Sequence, residues 1–184
     1  TLTPVFEELR EGTVALLDDI SAAANSVSDD VLHRYYPANA QIAFATDVVK
    51  ALGFDFTCGR VDLSAHPFCT TFDVTDVRLT TRIRENDLRS CLFGLIHEAG
   101  HGMYEQGVNP RYSGTAAAQG ASMGIHESQS LFWENTIARS PEFWSWCYPR
   151  LRAAFPGVLD DVTEHDFFKA INRIVPSLNR VESD

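Results

Sequence analysis

The sequence predicts a mainly helical fold carrying one small β-sheet. Three observations support this: apolar residues recur at helical spacing through most of the chain, one β-rich tract interrupts them, and Gly, Pro and Asn punctuate the boundaries. The 184 residues amount to about one domain, and 12 Phe, 5 Tyr and 3 Trp supply the bulk for a core.

Residues 4–25 read as an amphipathic helix, with Val5, Leu9, Leu16, Leu17 and Ile20 near helical spacing and Pro4 suited to the first turn. Ser28-Asp29-Asp30 looks like the cap of a second helix, roughly 30–52, interrupted at Tyr35-Tyr36-Pro37 and ended by Gly53. Between Phe54 and Arg84 the residues Cys69, Thr70, Thr71, Phe72, Val74, Val77, Leu79, Thr80 and Thr81 predict two or three short strands. Over 87–106, Asn86 is the expected cap. Leu88, Cys91, Leu92, Leu95, Ile96, Ala99 and Met103 form a broad apolar stripe there, Gly107 is the stop and Asn109-Pro110 a turn. A further helix is expected over 120–139, with Met123, Leu131, Phe132 and Ile137 on it. After Ser140-Pro141 comes an aromatic helix with Phe143, Trp144, Trp146 and Tyr148, and 160–174 gives the last. Trp133, Trp144 and Trp146 are expected to pack in the core rather than to box a ligand. His33 and His165 read as surface residues without partners. No internal repeat, low-complexity tract or linker is visible.

Charge and cysteine usage exclude several classes. A net charge of −10 without a cluster of Lys and Arg argues against nucleic-acid binding. No apolar run reaches membrane-span length, and no signal peptide is visible. Cys58, Cys69, Cys91 and Cys147 are scattered with no C-x-x-C pair, which predicts free thiols, a reducing cytoplasmic setting and no cysteine-built zinc site.

The most informative segment is His97-Glu98-Ala99-Gly100-His101. Residues four apart share a helix face, so both imidazoles can reach one ion. Zinc takes about four ligands, and its catalytic sites keep one position for water. The intervening Glu98 lies beside the metal, placed to take a proton from the attacking water and return it to the leaving amine. Gly100 and Gly102 keep the surroundings slim, an odd choice in a helix selected only for stability. The longer H-E-x-x-H-x-x-G-x-x-H pattern fails, because Tyr104 and Gly107 stand where glycine and histidine are required. The third ligand is therefore expected from the next helix, at Glu127 or Glu134, seven residues apart and nearly on one face. The polar run His126-Glu127-Ser128-Gln129 favours Glu127, leaving Glu134 to orient a ligand histidine. His126 either donates to a developing oxyanion or lies on the surface.

These motifs occur together with His66-Pro67-Phe68 and Asp76-Val77-Arg78-Leu79-Thr80, and in combination the chain resembles the thermostable (Taq-type) metallocarboxypeptidase family. That family shows H-P-F, D-x-R-x-T, H-E-x-G-H, H-E-S-Q and a later I/Y-R-x-x-A-D motif. The last appears here as Asn179-Arg180-Val181-Glu182-Ser183-Asp184, with Asn for the apolar residue and Ser for Ala. The likeness runs through essentially the whole chain. It implies a zincin-like helical core within a larger, two-lobed, groove-containing enzyme that removes single C-terminal residues with broad preference. Zinc or cobalt would be the metal and a homodimer the assembly. Carried over by position, His97, His101 and Glu127 would be the ligands and Glu98 the base. The family is longer at both ends, so the chain is expected to be a single catalytic-core region, 1–184, truncated at both ends.

A carboxypeptidase must hold a free carboxylate, a task suited to the planar fork of arginine. Motif position points to Arg78 and Arg180, with Arg82 behind them; the alternative is that each ties its element to an acidic neighbour such as Asp76. Asp76 and Glu134 are the expected supporting groups. The segment from Asp76 to Thr81 is expected to offer an open strand edge to a peptide. His66 either contacts substrate or belongs to a turn that packs Phe68 into the core. Two other readings of the same centre are an oligopeptidase or endopeptidase, and a non-catalytic zinc-binding fragment.

Overall fold

A computed structural model describes residues 2–22 and 27–174, and its elements follow the expected order. Helix α1 spans Thr3–Ala22. Its stripe has helical spacing, yet none of its residues is buried, and Val5, Leu9, Leu16, Leu17 and Ile20 are all exposed. Asp30–His33 then forms one 3₁₀ turn, and helix α2 (Ala38–Leu52) starts only after Pro37. The break has a physical cause. Proline drives its predecessor out of the α region, and Tyr36 instead fills the core, its hydroxyl donating to the Val31 carbonyl at 2.6 Å. Gly53, at φ 122°, ends α2 by donating its N–H to the carbonyls of Val49 and Lys50. A residue with a Cβ would be strained there.

The β-tract forms β1 (Gly59–Leu63), β2 (Cys69–Asp73) and β3 (Asp76–Thr81). Strand β3 is central, parallel to β1 and antiparallel to β2, with Leu79 opposite both Val61 and Cys69. The expected open edge at Asp76–Thr81 is therefore wrong: both sides of that backbone are already paired, and the sheet edges are β1 and β2. Val77, Leu79 and Thr81 are buried on one face; on the other Arg78 is exposed while Thr80 is buried, its hydroxyl bonded to Ser64 and to the Phe68 N–H.

Helix α3 (Leu88–Gln106) packs on α2 and β3 and carries the centre of the core. Leu88, Leu92, Leu95, Ile96 and Ala99 are essentially inaccessible to solvent. Its cap is Asp87, not Asn86: the Asp87 carboxylate accepts the Arg89 N–H. Asn and Asp are near-equal caps, so propensity alone could not choose between adjacent positions. The single helix expected over 120–139 is two pieces. Helix α4 (Met123–Leu131) is capped by Ser122, and a π-helical turn, Phe132–Ile137, follows it. Helix α5 (Pro141–Ala154) and helix α6 (Glu164–Ile171) close the described fold, α6 being shorter than expected at both ends, with Thr163 capping its start and Asn172 its end. Trp144 is fully buried against Phe93, Phe143 and Phe167, while Trp133 and Trp146 pack half-buried on the same core. His165 and His33 are exposed, but His33 has partners, with Asp29 at 3.6 Å and Arg89 at 3.3 Å.

All four cysteines are free. Burial pushes the Cys91 and Cys147 thiols up to about 12. The thiolate is the reactive form, so iodoacetamide at neutral pH is expected to leave both unlabelled in the folded chain and to reach them after unfolding in urea. Peptide mass spectrometry reads the difference. Among the described residues no helix is long and apolar enough to cross a membrane.

Candidate metal centre

The centre is built where α3 meets α4. His97 and His101, one turn apart on α3, set their rings edge to face with centroids 5.1 Å apart. Gly100 between them lets the α4 backbone approach. A Cβ there would lie 2.7 Å from Ser130 Cα and 2.9 Å from the Gln129 carbonyl oxygen. That close crossing brings Glu127 over the histidines, its two carboxylate oxygens each 3.5 Å from one Nε2 of His97 or His101.

These distances can be tested against a metal. They are longer than a good N–H···O bond of about 2.7–3.2 Å. Ligand atoms held tetrahedrally at about 2.0–2.1 Å from one ion stand about 3.4 Å apart. Two neutral-imidazole nitrogens and a carboxylate, converging within 4.8 Å of one another, fit a borderline divalent ion with a position to spare.

The far ring nitrogens are also occupied. His97 Nδ1 meets Glu134 Oε2 at 2.9 Å, and Glu134 is buried with Arg139 3.6 Å away. The π-turn that carries Glu134 is a local rearrangement of the kind found at functional sites. His101 Nδ1 lies 2.6 Å from Nδ1 of His126, whose Nε2 lies 2.6 Å from Glu105 Oε1. Burial works to lower the His97 pKa, but the Glu134 hydrogen bond and the charges of Glu98, Glu134 and Glu127 outweigh it and hold it above its ordinary value. His101 is lowered by burial first and then by His97 and His126.

Beside the histidines opens a cavity of about 360 Å³, whose wall includes His97, Glu98, Glu134 and His66. Arg82, Arg84, Arg89 and Arg139 line it as well.

The family model for carboxypeptidase Taq (M32) metallopeptidases matches residues 1–184. The chain belongs to this M32 family. It is 43% identical to carboxypeptidase 1 of Bacillus subtilis and 44% identical to thermostable carboxypeptidase 1 of Thermus thermophilus, over 100% of this chain and 36% of each of those proteins. The crystal structure of the M32 carboxypeptidase from Deinococcus radiodurans superposes with a TM-score of 0.94 at 42% identity, covering 100% of this chain and 37% of that one. The chain thus spans little more than a third of the length of these relatives. Membership in a metallopeptidase family implies a divalent metal.

Within this M32 chain the structure brings together His97, Glu98, His101, Glu127, Glu134 and His126. It also puts His66 at the cavity, while Phe68 beside it is exposed, so H-P-F does not seat its Phe in the core. It does not bring Arg78 and Asp76 to the site: they pair with each other at 2.8 Å on the exposed face of β3. Arg180 and its motif lie outside the described residues. His126 is half-buried with both ring nitrogens engaged, by His101 and Glu105, so it is neither a partnerless surface residue nor left with a free donor for an oxyanion. Sequence reasoning missed Glu105, Arg84, Arg89 and Arg139. For Glu105 a signal existed: it stands four residues after His101 on the same helix face.

Proposed function

We propose that residues 1–184 form the catalytic-core region of a metallocarboxypeptidase that releases C-terminal residues from peptides with broad preference. The observation that carries the proposal is the convergence of His97 Nε2, His101 Nε2 and Glu127, with His97 and the neighbouring Glu98 also lining a cavity whose wall includes four arginines. Zinc, with cobalt as the alternative, suits this donor set. When bound, the ion supplies a Lewis acid that polarises the scissile carbonyl and acidifies water.

The protein's own groups supply the rest. Glu98, buried but facing the cavity, takes the proton of the attacking water and returns it to the leaving amine. Glu134 orients His97 through its Nδ1 hydrogen bond. Arg82, with Arg84, Arg89 and Arg139, gives the substrate's terminal carboxylate a cationic wall, and by the family motif alone Arg180 is a further candidate for the same task. His66 contacts the peptide near the cavity rim. The free thiols fit a cytoplasmic setting, and a homodimer follows from the family likeness alone.

The test is metal content together with trimming of one peptide presented with a free and with an amidated C-terminus. Bound metal with release from the free acid only is the expected result. Cleavage of the amidated peptide would make the centre that of an oligopeptidase or endopeptidase. Metal uptake without any cleavage would make the chain a zinc-binding fragment.

A further inference from the structure

We infer that Glu105 is a positioning residue for the metal: through His126 it selects the tautomer in which His101 can coordinate. The inference rests on reading His97, His101 and Glu127 as ligands, and its premise is a hydrogen-bond chain of three side chains. Two imidazole nitrogens 2.6 Å apart, such as Nδ1 of His101 and Nδ1 of His126, share one hydrogen, one ring donating and the other accepting. Their geometry alone does not say which. Glu105 decides it. An ionised carboxylate only accepts, so at 2.6 Å from Glu105 Oε1 the hydrogen of neutral His126 sits on Nε2. His126 Nδ1 then has only a lone pair to offer and accepts from His101 Nδ1–H. His101 is left with its lone pair on Nε2, the atom that faces Glu127. In the opposite arrangement His101 would carry its hydrogen on Nε2, pointing at the metal position and blocking it.

The surroundings hold His126 to this task. The Tyr104 ring packs edge-on to it with centroids 5.0 Å apart. A Cβ on Gly120 would come within 3.0 Å of His126 Cδ2, so that loop closes directly on the imidazole. The Tyr104 hydroxyl accepts the Ala121 N–H at 3.1 Å and fixes the same loop. The two ligand histidines are thereby treated alike: His97 is backed by a carboxylate directly and His101 by one through an intervening ring. Because His101 and Glu105 lie one turn apart on α3, the helix itself sets the span that His126 bridges.

The experiment is cobalt titration of the metal-free protein, wild type against Glu105→Ala, Glu105→Gln, His126→Ala and the Glu105→Ala/His126→Ala pair. Affinity and the visible absorption of bound cobalt are both read. Loss of the carboxylate is expected to weaken cobalt binding about 10- to 100-fold and to alter the spectrum, with Gln, which keeps an accepting oxygen, losing less. The double variant should bind no more weakly than His126→Ala alone, since Glu105 acts only through that ring. A merely structural Glu105 would instead lower the melting temperature and leave the spectrum unchanged. Wild-type affinity and spectrum in Glu105→Ala overturn the inference, as do losses that multiply in the double variant; should that variant not fold, the Gln variant carries the comparison. If wild type takes up no cobalt, the ligand assignment itself falls, an outcome separate from any failure of Glu105.

Discussion

Glu98→Gln is expected to lower kcat for peptide hydrolysis by about 10²–10⁴-fold while the protein still takes up its metal. The side chain lines the cavity beside His97 and is buried, so the amide substitutes in nearly the same volume. What disappears is the ability to accept a proton from water and deliver it to the amine. Neither Glu98 oxygen belongs to the converging set of His97, His101 and Glu127, so the donor count is unchanged. The loss corresponds to about 3–5 kcal/mol of transition-state stabilisation, and it should appear in kcat with little change in KM. Metal analysis and steady-state kinetics on one preparation check both halves. Loss of metal in the variant would mean that Glu98 acts as a ligand. Retained activity would take the role of base away from it.

Much of this centre was legible in the sequence because a helix imposes its own spacing. Residues 97 and 101 had to share a face once 87–106 read as a helix, whereas the shared face expected for Glu127 and Glu134 assumed one continuous helix, and the π-turn that carries Glu134 breaks that spacing. The polar run His126-Glu127-Ser128-Gln129 pointed to Glu127, although the interior position expected for that run is not what the structure has: Glu127 and Ser128 are exposed, and it is Glu134 that is buried. The structure brings Glu127 to the Nε2 side of both rings and Glu134 to the Nδ1 side of His97. What the sequence hid depends on tertiary order. The central place of β3 follows from a crossover that no strand pattern encodes, so the expected open edge failed. The arginine wall gathers residues 82–89 with Arg139 across the π-turn, and six residues are too few for a π period to stand out against an α one. Glu105 was hidden for a different reason. Its spacing was visible, but its partner depends on which nitrogen of each histidine faces away from the centre.

Gly100→Ala sets two effects against each other, and the size of each decides the outcome. Helix propensity alone favours the variant by about 1 kcal/mol. The new Cβ, however, would stand 2.7 Å from Ser130 Cα and 3.1 Å from Ser130 N, both backbone atoms that no rotamer change can move. Relief requires α4 to move away from α3, and overpacking of that kind costs about 1–3 kcal/mol or more. Sterics should therefore win, with the melting temperature falling by about 2–8 °C for a domain of this size. Because α4 carries Glu127, its displacement also opens the 3.5 Å contacts with His97 and His101, and metal affinity should fall with stability. Gly102→Ala is the matching control. Its Cβ would meet side chains, Phe54 at 2.7 Å and Leu79 at 2.9 Å, on the face of α3 turned to the sheet and the end of α2. Stability should fall there as well, but with α4 undisturbed the metal affinity should hold. A Gly100→Ala protein that melts higher than wild type and binds metal equally well would show that the two helices do not meet this closely, and that Glu127 owes its position to something other than the missing side chain at residue 100.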